Sequence, residues 1–161
     1  MEQKPLKRNK HILQLSKDHH FTLLFCWKIR QGLKMGVEVD RIQKYVRYFW
    51  EHDMQAHFRE EEEILFVPVR DAPVQKAIDD HKEIKGQVYA VLQATDGEEA
   101  SKQLSILADK VDAHVRYEER VLFPHLEQTL TTEQLEGIGA QLKQEQASPD
   151  DYNDMFWIKE K

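Results

Sequence analysis

His57-Phe58-Arg59-Glu60-Glu61-Glu62-Glu63-Ile64-Leu65-Phe66-Val67-Pro68 is echoed 57 residues later by His114-Val115-Arg116-Tyr117-Glu118-Glu119-Arg120-Val121-Leu122-Phe123-Pro124. Each copy sets a histidine four residues before a glutamate that is followed by another, Glu61-Glu62 and Glu118-Glu119. Residues four apart on an α-helix lie about 40° from one another around the axis and about 6 Å along it. His57 and Glu61 therefore share one helix face, as do His114 and Glu118. So long an aligned match means that two helices carry the same device.

The apolar pattern around each copy tells which way the device points. On the later helix the stripe runs Ala100, Leu104, Leu107, Val111, His114, Glu118, Val121, so imidazole and carboxylate stand where a leucine is expected. On the earlier helix it runs Ile42, Val46, Phe49, His57, Glu61, Ile64, with Asp53 falling in the gap. Two further helices each send one histidine inward. His81 lies in the stripe Val74, Ala77, Ile78, Ile84, Val88, Val91, Leu92. His19 lies in Ile12, Leu15, Leu23, Cys26. His20 competes with His19 but is flanked at four residues by Ser16 and Leu24, so His19 is preferred.

Five helical segments follow from the period and from turn signals. The first runs from about Ser16, taken as the N-cap, to the Gly36 region. The second covers 39–65 and ends before Pro68, and the third begins at Pro73 and reaches about Thr95. The fourth spans about 98–127. Thr131 and Gln134 resemble a capping box for a short fifth helix. The last stretch, 148–161, is irregular but carries Tyr152, Met155, Phe156 and Trp157, which suits a tail packed back on the helices. Short connections between long helices favour antiparallel neighbours. The expected fold is all-α, an up-down antiparallel four-helix bundle. It forms a single domain over 1–161, with its core at about 15–127.

The bulk numbers agree. A chain of 161 residues, 40% hydrophobic and 32% charged, suits one domain with one core. A net charge of -6 argues against a general nucleic-acid binder. No apolar stretch has the length of a membrane span. The lone Cys26 permits no internal disulfide and gives no sign of an oxidising compartment, so the cytoplasm is the expected location. Eight histidines are about twice the expected number.

A single histidine on an apolar face is more often a packed core residue than a ligand. Four of them, with two core glutamates, differ in kind. An unpaired carboxylate in an apolar interior costs several kcal/mol or takes up a proton. Lys85, at the core edge, cannot neutralise two. A pair of divalent metal ions can, and imidazole plus carboxylate without a thiolate cluster suits iron, and also manganese or zinc. One zinc ion would not need so many ligands.

The paired His-x-x-x-Glu-Glu motifs, each followed by an Ile/Val-Leu-Phe run and a proline, resemble those of the hemerythrin-like, or HHE cation-binding, family. Leu15-Ser16-Lys17-Asp18-His19-His20 is similar to its first-helix motif and Asp80-His81-Lys82-Glu83 to its third, so the likeness covers about 15–126. It implies two non-haem iron ions, bridged by oxide or hydroxide. The ligands it implies are His19, His57, Glu61, His81, His114 and Glu118. Oxygen-carrying members have a second histidine on the third helix, where this chain has Lys85. They also have an aspartate five after the fourth-helix histidine, where it has Glu119. The implied set resembles instead the four-histidine, two-glutamate members linked to iron sensing and damage repair. The expected function is binding or sensing of O2, NO or iron; the alternative is a di-iron redox or iron-donating repair enzyme.

The remaining candidates have plainer readings. His11, His52 and His125 are expected at the surface or at helix ends. Glu62 and Glu119 suit either a solvated face or the outer side of ligand histidines. Tyr45, Tyr48, Trp50 and Tyr117 read as core with a possible place near the metals, Cys26 as packing, and Pro68 and Pro124 as helix bends or ends.

Overall fold

A computed structural model of the chain describes residues 7–142 and 152–159. Within them lie five helices and no strand. They are α1 (Leu13–Met35), α2 (39–65), α3 (Ala72–Gln93), α4 (97–129) and α5 (Thr132–Leu142). No helix among the described residues is long and apolar enough to cross a membrane.

Local chemistry sets most of the boundaries. Asp71 accepts from the Val74 N–H at 3.4 Å, with Pro73 in the first turn of α3, and Asp96 accepts from the Glu99 N–H at 3.1 Å to start α4. Thr131 and Gln134 form the reciprocal capping box, at 2.9 and 3.1 Å, ahead of α5. Gly36 closes α1 at φ 70°, a left-handed conformation that glycine adopts without strain. Ser16 is not the N-cap of α1. The helix begins three residues earlier, anchored by fully buried Ile12 and Leu15, and the Ser16 hydroxyl is engaged by Glu119 instead.

Two of the helices are not α-helical throughout. α2 consists of Val39–Phe49, a π-turn at Trp50–Met54, Gln55–Glu60 and a second π-turn at Glu61–Leu65. α4 consists of Gly97–Tyr117, a π-turn at Glu118–Leu122 and Phe123–Thr129. Each π-turn takes one extra residue per turn, so the inward register slips by one. This corrects the two expected stripes. Leu65 and Leu122 are fully buried, in place of Ile64, which is half-buried, and Val121, which is exposed. The same slip at Trp50–Met54 explains Asp53, because Met54 fills the core there instead.

The turn in α4 also accommodates Pro124. In π register its missing N–H leaves the Glu119 carbonyl without a backbone donor, and the Arg8 guanidinium donates to that oxygen at 2.9 Å.

The apolar interior is divided in two. One cluster gathers Phe25, Ile29, Tyr45, Phe49, Met54, Ile84, Leu104 and Val111. The other gathers Leu15, Leu65, Phe66, Val74, Leu122 and Phe123, together with Leu135 and Ile138 of α5. On every long helix the inward histidine falls between a residue of one cluster and a residue of the other. The polar residues thus form a layer across the middle of the bundle.

The tail caps the first cluster, as its apolar composition suggests. Phe156 is buried against Gly32, where a Cβ would meet its ring at 2.9 Å. Tyr152 packs at an angle against Tyr45 and edge-on against Tyr48, Arg41 donates twice to Asp154, and the Lys28 ammonium sits 3.9 Å from the Trp157 ring centroid. Residues 148–151, 160 and 161 of the expected tail lie outside the described residues.

Candidate metal centre

The six nominated side chains meet in the polar layer. His19, His57, His81 and His114 are each at most 7% exposed, and Glu61 and Glu118 are wholly buried. His20, by contrast, points to solvent beside Phe21. The ligand-bearing atoms fall into two groups. His19, His57, Glu61 and Glu118 offer one atom each within 4.8 Å of one another, and so do His81, His114, Glu61 and Glu118. Both glutamates belong to both groups.

Both glutamates also begin π-turns, at Glu61–Leu65 and Glu118–Leu122. The i, i+4 spacing from each histidine holds up to the glutamate, and the wider turn begins only beyond it. Below the layer, the turn then brings Leu65 and Leu122 back to the core.

The inner edges of the imidazoles face carboxylate oxygens. His19 Nε2 lies 2.9 Å from Glu118 Oε1, His81 Nε2 3.1 Å from Glu61 Oε1, His114 Nε2 3.4 Å from Glu118 Oε2, and His57 Nε2 3.5 Å from Glu61 Oε2. The outer edges face a second ring of acids. His19 Nδ1 donates to Glu119 at 2.7 Å, His81 Nδ1 to Glu62 at 2.8 Å and His114 Nδ1 to Asp80 at 3.2 Å, while His57 Nδ1 lies 3.5 Å from Asp18. An ionised carboxylate can only accept, so these three hydrogen bonds keep the proton on Nδ1 of His19, His81 and His114, whereas His57 Nδ1 is buried without a hydrogen-bond partner. In a neutral imidazole the Nε2 lone pair is then left pointing inward, which is how metal-binding histidines are commonly oriented.

The arrangement repeats with internal two-fold symmetry. Exchanging α1 with α3 and α2 with α4 carries the His19–Glu119 contact onto His81–Glu62 and His57–Asp18 onto His114–Asp80. It also carries the stacking of Phe123 on His19 (5.4 Å between centroids) onto that of Phe66 on His81 (6.2 Å). The sequence left Glu62 and Glu119 open between this role and a solvated face, and it did not single out Asp18 and Asp80. Their signal was the Asp-His pair present on both helices.

Without a cation this layer is poorly satisfied. Both carboxylate oxygens of Glu61, Oε2 of Glu118 and Nε2 of His81 and His114 are buried and have no partner in hydrogen-bonding geometry. His57 Nε2 and His19 Nε2 face each other at 3.3 Å. Unmet polar atoms in such a place cost about 1–3 kcal/mol each. Protons can stand in for metal. Burial works against charging His81, but Glu118, Glu61 and Glu62 outweigh it and carry its pKa up to about 11. The same contest, won by Glu118 and Asp80, brings His114 to about 9. His57 rises well above its ordinary value and His19 rises too, each against burial and through its carboxylate neighbours. Burial would raise Glu118, yet His114, His19 and His81 hold it well below the usual range. Four imidazolium charges equal those of two divalent ions, so the donor set fits a pair of metal cations replacing four protons.

The two halves differ in their surroundings. Glu119 is locked by the Ser16 hydroxyl at 2.9 Å and by Arg8, which also pairs with Glu127. Glu62 instead borders a cavity of about 310 Å³ whose walls include Trp50, Phe58 and His81. A smaller one, about 150 Å³, lies behind His114 and Asp80.

The other candidates lie apart from the centre. His52 is exposed, and His125 pairs with Asp71 at 2.6 Å. Tyr45 and Tyr48 belong to the aromatic cluster under the tail, and the Tyr117 hydroxyl donates to the Pro73 carbonyl. Trp50 reaches the centre through Phe58, which stacks on His81 at 3.9 Å. Cys26 is buried, which pushes its thiol up to about 12, and an unionised thiol is an inert packing group.

Residues 11–126 match the protein family described as the hemerythrin HHE cation binding domain. No curated protein and no solved structure matches the chain.

Proposed function

The chain belongs to the hemerythrin HHE cation-binding domain family, and we propose that its central layer holds two iron ions and presents them to a small ligand such as O2 or NO. His19 and His57 would hold one ion and His81 and His114 the other, with Glu61 and Glu118 within reach of both. The observation that carries this is the pair of four-residue groups sharing both buried glutamates. The four outer acids support it, since each holds or faces the Nδ1 edge of one histidine. Iron supplies the redox and ligand-binding capacity. The protein's own residues exclude water, fix the imidazole tautomers and neutralise the charge.

Four histidines and two glutamates do not fill two six-coordinate ions. Lys85 stands where the oxygen-carrying members have another histidine, on the half that carries His81. Open positions there favour sensing or redox chemistry over clean reversible carriage. Part of this reading is a single up-down four-helix domain, supported by short connections and by contacts of α1 with α2 and α4, and of α3 with α2 and α4. The net charge of -6 speaks against nucleic acid as a partner.

A second reading, a di-iron redox or iron-donating repair enzyme, is favoured by the 310 Å³ cavity beside His81, which is larger than a diatomic ligand needs. Exposing the reduced, iron-loaded protein to O2 or NO separates the two. A persistent new absorption band that disappears when the gas is removed supports binding. Loss of ferrous iron without such a band supports the enzyme.

A further inference from the structure

The cavity beside His81 has a lining that the metal centre does not explain. Its floor is aromatic: Trp50, the first residue of a π-turn, meets Phe58 edge to face at 5.9 Å, and Phe58 in turn lies flat on His81. Its mouth is cationic. Arg59, Lys82 and Lys85 line it, all three exposed, and none makes an ion pair among the described residues. Two carboxylates oppose them, but Glu62 is engaged by the His81 Nδ1–H, leaving Glu63 as the one other acid in the lining.

We infer that this cavity binds a small organic carboxylate, its apolar body on Trp50 and Phe58 and its charged end between Lys82, Lys85 and Arg59. Volume decides against an inorganic anion. At about 310 Å³ the space holds roughly ten waters at about 30 Å³ each, so a simple oxyanion would leave the aromatic floor wet. An apolar body removes that surface from water, and the cations draw the carboxylate and set its orientation. The inference deepens the function proposed above, on which it rests for one point only: the acid is brought beside the ion that His81 would hold.

Benzoate and its uncharged analogue benzamide are suitable probes, followed by NMR of the Trp50 indole N–H in the full-length protein, both metal-free and zinc-loaded. Trp50→Phe serves to assign the resonance. Benzoate should shift it saturably, at least 10-fold more tightly than benzamide and more weakly at high salt. The double variant K82Q/K85Q should lose at least 10-fold in benzoate affinity while taking up as much metal as the parent. Equal affinity for the two probes, no saturable shift, or an unaffected double variant overturns the inference. So does displacement of benzoate by equimolar inorganic phosphate, which would make the cavity a general anion site. Benzoate binding to a chain that loads no metal pair would leave this site standing and remove the di-iron reading; normal loading without benzoate binding would do the reverse.

Discussion

Replacing one outer acid should weaken one metal position and spare the other. Glu119 is the acceptor for His19 Nδ1, at 2.7 Å, and Glu62 plays the same part for His81 at 2.8 Å. Loss of such a carboxylate typically lowers metal affinity 10- to 100-fold, equivalent to about 1.4–2.8 kcal/mol. Glu119→Gln keeps an oxygen that can accept from Nδ1 and so belongs near the 10-fold end. Glu119→Ala leaves the ring unheld and belongs near the 100-fold end. Arg8 softens both changes, because it keeps Glu127 as a partner. Zinc titrations against a chromophoric chelator resolve the two affinities. The weakened step in the Glu119 variants should be the one that also responds to His57→Ala, and in Glu62→Gln the one that responds to His114→Ala. Equal weakening of both steps by either single variant, or no change in either, would refute the pairing of outer acids with separate ions.

Three further outcomes are expected. His114 and His81, at about 9 and about 11, both carry protons at pH 7 in the metal-free protein. Loading in weak buffer should therefore release at least two protons per chain, measurable with a pH indicator. A raised histidine pKa stabilises most below the unfolded value of about 6.5, and that stability is lost as pH rises through the folded value. The metal-free protein should thus lose stability steadily from pH 7 to 10, through His114 and His81 together, read from urea melts, whereas the loaded protein should instead weaken towards acid. At the tail, Gly32→Ala gains about 1 kcal/mol of helix propensity but brings a methyl to 2.9 Å from the Phe156 ring, an overpacking cost of about 1–3 kcal/mol. A net loss in the urea midpoint with unchanged metal uptake is the expected result, and a net gain would show that the tail yields freely.

Much of the site was legible because its residues break an apolar stripe. His81 and His114 stand where a leucine is expected, and helical geometry alone aligns each glutamate with its histidine. His19 over His20 followed from the same logic, and burial agrees. What stayed hidden follows from the one-residue slip of a π-turn. Leu65 and Leu122 look one position out of register until the wider turn is known, and no local propensity marks its start. Asp18 and Asp80 were missed for another reason. Each stands directly before a histidine of its own helix but faces the histidine of a neighbouring one, so the repeated Asp-His pair was visible while the partner it faces was not. Ser16 looked like a cap because its type favours one, yet its hydroxyl found Glu119, 103 residues away.

The central claim is that one layer of side chains holds two ions through shared glutamates. Metal content of the protein from an iron-replete host, set beside that of Glu61→Ala and Glu118→Ala, tests it most directly. The account predicts about two irons per chain in the parent and loss of two-metal loading in each variant. One tightly held zinc in the parent, or two ions retained in both variants, would contradict it.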